Sequence, residues 1–286
     1  MPLNIQPHKS LKEISTFGIG GHARYFVVVK TVEEAQEALL YCKAHSLPFH
    51  VVGKGSNSLF DDRGYNGLVI HNQITFCEIK GVSAYVGAGF SFSLLGIKTA
   101  REGLAGLEFA CGIPASVGGA IFMNAGANGG QTSDTLEEVT FITADGHVES
   151  FSKNQLKFTY RKSCFHDRLG IIAAARFTLK QDATVRDKQL NLIEYRKQTQ
   201  PLKELSCGCV FRNPKRGYAG KLIEQCGLKG LRVGGAEVSS QHANFIVNKK
   251  ESTANDVLSL IDKIKICVKE QTGIELEMEL REIPYE

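Results

Sequence analysis

The amino-acid sequence predicts an α+β protein of three lobes, and three observations lead to this fold class. The chain has 286 residues, 43% of them hydrophobic, which is enough for more than one core of ordinary domain size. Some segments repeat apolar residues at helical spacing, while others are short β-branched runs. The sequence becomes richer in short β-branched runs near residue 67 and more polar near residue 181, so we expect lobes at 1–66, 67–181 and 182–286.

The first lobe reads as an α/β unit that ends in a glycine-rich loop. Residues 25–29 form an apolar run typical of a strand. Thr31 and Glu34 predict a capping box ahead of a helix, and FHVVG at 49–53 predicts a second strand. The loop GKGSNSLF follows this strand directly, at the carboxyl end where such folds bind ligands.

The second lobe is richer in strands. The runs GLVIH, TFCEIK, AYVGAG, EVTFITADG and GIIAAARFTL predict strands, and SLLGIKTAREGL predicts a helix. Between them lies the most glycine-dense stretch of the protein, residues 106–130. The polar segment QDATVRDKQ then marks the expected boundary to the third lobe.

The third lobe is predicted to alternate helices and strands. YAGKLIEQCG reads as a helix closed by Gly227, and ANFIVN reads as a strand. A long helix follows, with Ser252 as its N-cap and Gly273 as its end. The alternating segment IELEMELREI predicts a terminal strand.

Composition and charge exclude several classes of partner. The net charge of +4 is mild, and no basic tract contains interleaved aromatic residues, so we expect no nucleic-acid partner. No apolar run approaches the length of a membrane span, and the N-terminus lacks the apolar core of a signal peptide. We therefore expect a soluble cytoplasmic protein without membrane insertion.

The chain contains eight cysteines, and a reducing compartment predicts that they are free thiols. Cys207 and Cys209 are one residue apart in SCGCVFRNP. The other cysteines are scattered, and no HxH or HExxH pair completes a metal site, so no metal is predicted.

Two glycine-rich loops are candidates for binding phosphate. GKGSNSLF has only the first two glycines of a dinucleotide fingerprint, and no P-loop motif occurs. The loop could still present backbone N–H groups to a pyrophosphate. In GIPASVGGAIFMNAG, Gly118 and Gly119 would let a bulky ligand approach the backbone. Either loop alone could be a tight turn, but two in successive lobes suggest a long dinucleotide.

Seven motifs occur in a fixed order: GxGSN at 53–57, GIPASVGGAIFMNAGA at 112–127, YRKSCF at 160–165, SCGCVFRNP at 206–214, LIEQCGLKG at 222–230, GGAEVSSQHANFIVN at 234–248 and LEMELRE at 276–282. In these motifs the chain resembles the UDP-N-acetylenolpyruvoylglucosamine reductase family, flavoenzymes that make UDP-N-acetylmuramate for bacterial cell walls. The resemblance runs from about Thr16 to Glu282, and the compact spacing is similar to the shorter of the family's two subtypes.

The resemblance implies an FAD-binding domain of the vanillyl-alcohol-oxidase type, formed by the first two lobes, and a third lobe that binds the sugar nucleotide. It implies non-covalent FAD, NADPH as co-substrate and UDP-N-acetylglucosamine enolpyruvate as acceptor, in a chain expected to be monomeric. In the family's ping-pong reaction NADPH reduces FAD, the reduced flavin delivers hydride to C3 of the enolpyruvyl ether, and a protein acid protonates C2.

Three catalytic residues carry over from the family's motifs. Arg161 matches an arginine that stabilises charge on the substrate carboxylate, and Glu279 matches a glutamate that assists at the enolate oxygen. The family commonly has Ser as the proton donor where this chain has Cys209, and a thiol is the stronger acid, so donation stays feasible. Cys207 is interpreted as a bystander.

Further positions match the family's binding residues. The predicted cofactor contacts are Gly53, Gly55, Ser56, Asn57, Ser58, Pro114, Ser116, Val117, Gly118, Gly119, Asn124 and Gly126. The predicted substrate contacts are Tyr160, Asn213, Lys229, His242 and Arg281.

Structural interpretations of these residues remain open from the sequence alone. Arg161 could be a surface residue after a strand, and Cys209 an inert buried thiol. Glu279 shares one strand face with Glu275 and Glu277, and a histidine such as His242 is more often structural. The alternatives for the whole protein are an FAD oxidoreductase acting on an alcohol or hydroxy acid, and a non-catalytic nucleotide-binding module.

Overall fold

The computed structural model describes residues 3–285, which form helices and strands throughout. The α-helices of this part are α1 (Val32–Ala44), α2 (Phe92–Arg101), α3 (Val117–Phe122), α4 (Val185–Thr199), α5 (Ala219–Gln225) and α6 (Ala254–Thr272). The strands before residue 150 are β1 (Gln6–Ser10), β2 (His22–Val29), β3 (Phe49–Val52), β4 (Ser58–Phe60), β5 (Gly64–Asn72), β6 (Cys77–Lys80), β7 (Ser83–Gly87), β8 (Leu104–Ala105), β9 (Gly126–Ala127), β10 (Gly130–Gln131) and β11 (Leu136–Thr143). The later strands are β12 (Val148–Ser152), β13 (Phe158–Thr159), β14 (Lys162–Ser163), β15 (Gly170–Thr178), β16 (Lys180–Gln181), β17 (Ser206–Cys209), β18 (Arg232–Val233), β19 (Ala236–Val238), β20 (Phe245–Asn248) and β21 (Arg281–Ile283).

By its internal contacts the chain divides into two units. Unit 1 comprises the residues up to Gln6, then Tyr25–Lys54 and Gly67–Tyr195. Unit 2 comprises Pro7–Arg24, Gly55–Asn66 and residues 196–285. The chain therefore passes between the units several times. The division into lobes 1–66, 67–181 and 182–286 stays a prediction.

Unit 1 is built on a five-stranded sheet in the order β12-β11-β15-β7-β6, with antiparallel neighbours. Its central strand β15 is buried over most of its length because small and β-branched residues fill it. A core of buried side chains packs here, and it includes Phe92 of α2 and Ile121 of α3. The sheet thus supports the segment that leads into α3, where the second glycine-rich loop lies.

The first predicted α/β unit is present in unit 1. Thr31 caps α1 by accepting a hydrogen bond from the Glu34 N–H at 3.2 Å, but the Glu34 carboxylate accepts from Lys30 and not from Thr31. The predicted capping box is therefore one-sided. Strand β3 runs parallel to β5, from Phe49 opposite Leu68 to Val52 opposite His71, and places Gly53 just beyond its carboxyl end.

Unit 2 contains a four-stranded sheet in the order β17-β20-β19-β18. The apolar stripe of α6, including Val257, Ile261 and Ile264, is buried in the core of this unit. Strand β21 pairs in parallel with β4, with Arg281 opposite Ser58. This pairing brings the C-terminal segment to the loop that follows Gly55.

The predicted terminal strand differs from the structure. The terminal strand expected over 274–283 is confined to Arg281–Ile283, preceded by an isolated bridge between Met278 and Phe211. The preceding backbone instead bonds to the segment after Cys209, which interrupts regular pairing. The polar segment at 181–189 contains the start of α4, and its role as the boundary to the third lobe stays a prediction.

The N-cap of α6 is also different from the predicted one. Thr253, not Ser252, accepts from the Asp256 N–H at 3.0 Å, and the Asp256 carboxylate accepts from the Thr253 N–H at 3.0 Å. The Ser252 hydroxyl is buried without a partner among the described residues. Gly273 ends the helix at φ +70° as predicted.

Replacing Thr253 by alanine should therefore lower the free energy of unfolding by about 0.5–2 kcal/mol, since the helix loses its cap. The matched variant Ser252→Ala should leave stability unchanged or raise it, because it removes an unpaired buried hydroxyl. Chemical denaturation of both variants measures the difference. Equal losses would contradict the observed cap.

Asp256 should make stability depend on acid pH. Hydrogen bonds from the backbone, first of all that of Thr253, lower the pKa of this carboxyl. A carboxyl whose pKa is lower in the folded state stabilises the protein above its unfolded pKa, and this contribution disappears as pH falls through the folded value. The difference in melting temperature between wild type and Asp256→Asn should therefore shrink from pH 6 towards pH 3. A constant difference would contradict this role.

No helix among residues 3–285 is long and apolar enough to cross a membrane.

Candidate active site

Cys209 lies at a β-bulge at the end of β17. Ser206 is opposite Val247 and Cys209 is opposite Phe245, so three steps on β17 face two on β20. Gly208 provides the bulge with φ +79°. The bulge changes the direction of the side chains that follow it, and Cys209 is left partly exposed.

The neighbouring Cys207 has a different environment. It is buried at 3% exposure, and burial raises the pKa of its thiol. The two thiols of SCGCVFRNP are thus unequal, and Cys209 is the accessible one. This is consistent with the interpretation of Cys207 as a bystander.

The C-terminal segment meets the strand of Cys209 through backbone hydrogen bonds. The Glu279 N–H donates to the Val210 carbonyl at 2.7 Å, and Glu279 is partly buried. Asn57 joins the same place, because its side-chain amide donates to the Glu279 carbonyl at 3.1 Å. The Asn57 carbonyl in turn accepts from the Arg281 N–H at 3.1 Å. Unit 2 therefore brings together a predicted proton donor, the predicted glutamate and a predicted cofactor residue.

The other predicted substrate residues of unit 2 are held in different ways. Asn213 is exposed, and its side-chain oxygen accepts from the Ala219 N–H at 3.0 Å, next to the start of α5. Lys229 forms an ion pair with Glu224, with 2.5 Å between the lysine Nζ and the glutamate Oε1. Arg281 is partly buried, and burial lowers the pKa of its guanidinium. Both cations lie in part-buried positions where an anionic substrate group could bind them.

His242 is partly buried and makes structural contacts. Burial is the main cause that lowers the pKa of its imidazole. Its Nδ1 accepts from the Asn244 N–H at 3.3 Å, and its ring packs edge-to-face against Phe245. These contacts favour the structural interpretation for Nδ1 and leave Nε2 as the ring's donor.

In unit 2, Gly55 is buried at φ +59°, and a Cβ there would lie 2.2 Å from the Ile14 carbonyl oxygen. Glycine is therefore required by the backbone of residues 14–15. Ser56 and Ser58 are partly buried beside it, Ser58 as the first residue of β4.

In unit 1 the two glycine-rich loops touch each other. A Cβ on Gly53 would lie 2.1 Å from the Ser116 hydroxyl oxygen. Ser116 is 3% exposed and caps α3 by accepting from the Gly119 N–H at 3.2 Å. Within this unit, the expectation that both loops belong to one site agrees with this contact.

The first amides of α3 are already hydrogen-bonded within the protein. The Val117 N–H donates to the Phe90 carbonyl at 2.9 Å, and the Gly118 N–H donates to the Ala88 carbonyl at 2.8 Å. Ala88 lies close to Gly118, and a Cβ at position 118 would be 3.0 Å from the Ala88 Cβ, so a larger residue would be crowded there. Val117 is fully buried in the core. The free surface of this loop is at Pro114 and Gly119, which are exposed.

Arg161 is presented by a tight hairpin between β13 and β14. Thr159 is opposite Lys162, so Tyr160 and Arg161 form a two-residue loop. Arg161 has φ +58°, a region that non-glycine residues seldom occupy and that is common at functional sites. Its guanidinium donates to the Gly126 carbonyl at 2.8 Å and lies 4.8 Å from the ring centroid of the exposed Tyr160.

Asn124 connects this hairpin to the second glycine-rich loop. It is 1% exposed, its Nδ2 donates to the Thr159 carbonyl at 3.1 Å, and its Oδ1 accepts from the Ser133 N–H. Its side chain is therefore engaged in the protein. A predicted cofactor segment thus holds the predicted catalytic arginine in place.

Sequence reasoning missed Lys54, which follows Gly53 directly. Its ammonium donates to the Ser91 hydroxyl at 3.0 Å, and burial lowers its pKa. Ser91 is bridged to Ser116, so a cation lies at the contact of the two loops. The hydroxyl carries no charge to balance Lys54, which suits the binding of an anion such as a diphosphate. The sequence feature that could have indicated this role is a lysine placed between Gly53 and Gly55 in a glycine-rich loop.

None of the eight cysteines is part of a disulfide bond in the structure. Within the described part of the chain, no group of three or more His, Cys, Asp or Glu side chains is arranged to hold a metal ion.

Comparisons with known proteins cover almost the whole chain. Residues 200–283 match the C-terminal domain of UDP-N-acetylenolpyruvoylglucosamine reductase, and residues 23–152 match an FAD binding domain. The UDP-N-acetylenolpyruvoylglucosamine reductase of Protochlamydia amoebophila is 55% identical over 287 positions, which span 100% of this chain and 96% of that protein. The UDP-N-acetylenolpyruvoylglucosamine reductase of Chlamydia pneumoniae is 44% identical over 100% of this chain and 94% of that protein.

Solved structures give the same result for the fold. The crystal structure of UDP-N-acetylenolpyruvylglucosamine reductase from Thermus caldophilus superposes with a TM-score of 0.83 at 38% identity, over 99% of this chain and 100% of that one. The 6-hydroxy-D-nicotine oxidase of Arthrobacter nicotinovorans shares only the fold, with a TM-score of 0.50 at 14% identity over 93% and 59% of the chains. The predicted α+β fold with an FAD-binding domain is confirmed.

Proposed function

Because the chain belongs to the UDP-N-acetylenolpyruvoylglucosamine reductase family, we propose that it reduces UDP-N-acetylglucosamine enolpyruvate to UDP-N-acetylmuramate with NADPH as electron donor and Cys209 as proton donor. The chain is an FAD-dependent oxidoreductase of peptidoglycan precursor synthesis. The observation that carries the proposal is the pair of unequal thiols, since the bulge leaves Cys209 accessible next to the Glu279 segment while Cys207 is buried.

The residues present fit a bound FAD. The Lys54 ammonium contacts the hydroxyl of Ser91, which carries no negative charge, so it can bind an anionic group of the cofactor. Gly53 lies so close to Ser116 that a side chain at position 53 would not fit between the two loops. Gly53, Lys54, Ser116 and Gly119 of unit 1 would hold the cofactor. When bound, the reduced flavin would supply hydride to C3 of the enolpyruvyl ether.

Cys209 would complete the reduction by giving its thiol proton to C2. The new C–H bond at C2 takes up the electron pair that the hydride displaced from the C2–C3 double bond. The thiolate that remains then regains a proton from solvent before the next turnover. A partly exposed thiol suits both transfers, because solvent must reach it between turnovers.

Arg161 and Glu279 would act on the substrate carboxylate and on the charge that develops at the enolate oxygen. A planar guanidinium can bind a carboxylate through two hydrogen bonds. The strained backbone of Arg161 and its bond to Gly126 would keep the guanidinium oriented before substrate arrives. Tyr160, Asn213, Lys229, His242 and Arg281 would bind the rest of the sugar nucleotide.

The remaining expectations form part of the same proposal. The protein would act as a cytoplasmic monomer, with NADPH and the sugar nucleotide using one pocket in turn, since no nicotinamide fingerprint occurs in the sequence. The first two predicted lobes would bind FAD and the third the substrate.

Anaerobic spectroscopy of the purified protein tests this function. We expect a flavin spectrum that bleaches with NADPH and returns when the enolpyruvyl sugar nucleotide is added. NADH in the same experiment tests the choice of donor. A flavin that stays reduced after addition of the sugar nucleotide would refute the proposed acceptor.

A further inference from the structure

Asn244 is a buried polar residue beside the strand of Cys209, and the sequence-based interpretation assigned it no role. It is 3% exposed and directly precedes β20. Its Nδ2 donates to the Phe211 carbonyl at 2.8 Å, and its Oδ1 accepts from the Phe211 N–H at 2.9 Å. Its own carbonyl accepts from the Val210 N–H at 2.8 Å. One residue thus makes three hydrogen bonds to the dipeptide that follows Cys209.

These bonds replace regular strand pairing. The bulge shifts the register of β17 and β20, and their pairing ends with Cys209 opposite Phe245. Phe211 is 1% exposed, so water has little access to its N–H and carbonyl groups. Buried backbone groups of this kind need partners, and the Asn244 side chain provides both for Phe211.

The C-terminal segment also bonds to this dipeptide. The Val210 carbonyl accepts from the Glu279 N–H at 2.7 Å, and the Leu280 N–H lies 3.3 Å from the same oxygen. Asn244 therefore binds the N–H of Val210, and Glu279 binds its carbonyl. Any shift of Val210 would move Cys209 and change its position relative to Glu279.

We propose that Asn244 is a positioning residue for the reduction, which holds Cys209 and the Glu279 segment in register through the backbone of Val210 and Phe211. This inference rests on the proposed function of Cys209 as proton donor. Asn244 acts through these groups and takes no part in proton or hydride transfer. Losing its side chain should misplace the thiol by a fraction of an ångström or more, which is enough to slow proton transfer strongly.

The test compares the two half-reactions of three variants by anaerobic stopped-flow, with rates expressed per bound FAD. Asn244→Ala removes both side-chain bonds. Asn244→Asp keeps the volume and the accepting oxygen but removes the donor to Phe211. The matched control is Asn248→Ala, because Asn248 also bonds backbone groups of unit 2, donating to the Phe17 carbonyl and accepting from the Ser252 N–H at 3.1 Å each.

For Asn244→Ala we expect reoxidation by the enolpyruvyl sugar nucleotide to slow by about 10- to 100-fold, whereas reduction by NADPH keeps its wild-type rate. Asn244→Asp should show the same difference between the two half-reactions, because a carboxylate cannot donate to the Phe211 carbonyl. The control should lose melting temperature without losing the reoxidation rate. Alkylation of Cys209 by iodoacetamide, followed by peptide mass spectrometry, should also change rate in the Asn244 variants and not in the control.

Wild-type reoxidation in both Asn244 variants would overturn the inference, as would an equal slowing of both half-reactions or of the control. The proposed function fails in a distinguishable way. If Cys209→Ala reoxidises at the wild-type rate, Cys209 is not the proton donor. If Cys209→Ala is slow and both Asn244 variants are fast, only the positioning role is wrong.

Discussion

Replacing Cys209 by alanine is expected to slow flavin reoxidation by the enolpyruvyl sugar nucleotide by about 10²–10⁴-fold, the usual contribution of a positioned general acid. Reduction of the flavin by NADPH should be unaffected, because that step needs no proton from Cys209. The two rates are measured separately by anaerobic stopped-flow at the flavin absorbance. The loss should appear in the rate at saturating sugar nucleotide, since the thiol acts on the reacting carbon.

Two variants act as controls for this prediction. Cys209→Ser keeps a proton on a one-carbon stem and should retain most of the reoxidation rate. Cys207→Ala removes the buried thiol two residues away, so it should lower stability without changing reoxidation. Unchanged reoxidation in Cys209→Ala, or an equal loss in Cys207→Ala, would contradict the assignment of the proton donor.

Replacing Gly55 by alanine is expected to destabilise the protein strongly and to reduce its FAD content. The positive φ of +59° costs an alanine about 1–2 kcal/mol. The new Cβ would lie 2.2 Å from the Ile14 carbonyl oxygen, and relieving this contact moves backbone, which adds about 1–3 kcal/mol. Thermal unfolding and the ratio of flavin absorbance to protein absorbance measure both effects.

Gly81 offers a matched control, because it has the same φ of +59° but no atom within 4 Å of its would-be Cβ. Gly81→Ala should therefore show only the conformational cost and keep its FAD. The difference between the two variants isolates the contact with residues 14–15. If both variants lose the same stability and the same amount of flavin, the short distance between position 55 and the Ile14 carbonyl does not contribute to stability.

Local patterns predicted most helices and strands well. The strands around residues 25–29 and 49–52, the helix after Thr31 and the stop at Gly273 are all present, since periodicity, caps and glycine act over a few residues. The terminal strand and the cap at Ser252 were wrong for different reasons. A tertiary partner, the backbone after Cys209, bonds residues 277–280, whereas the cap was misplaced by one residue because the local capping box forms between Thr253 and Asp256.

The motifs alone were sufficient to identify the family, the cofactor class and the candidate catalytic residues, because long motifs constrain residue types independently of their surroundings. The motifs selected Cys209 and Glu279 by position, but they could not show the environment of either residue. These points depend on the folded chain: a bulge exposes one thiol and buries the other, and backbone bonds tie Glu279 to Val210. The fold also revealed Asn244, whose importance depends on hydrogen bonds to a residue 33 positions away in the chain. Such contacts arise only when distant segments pack, so no local pattern encodes them.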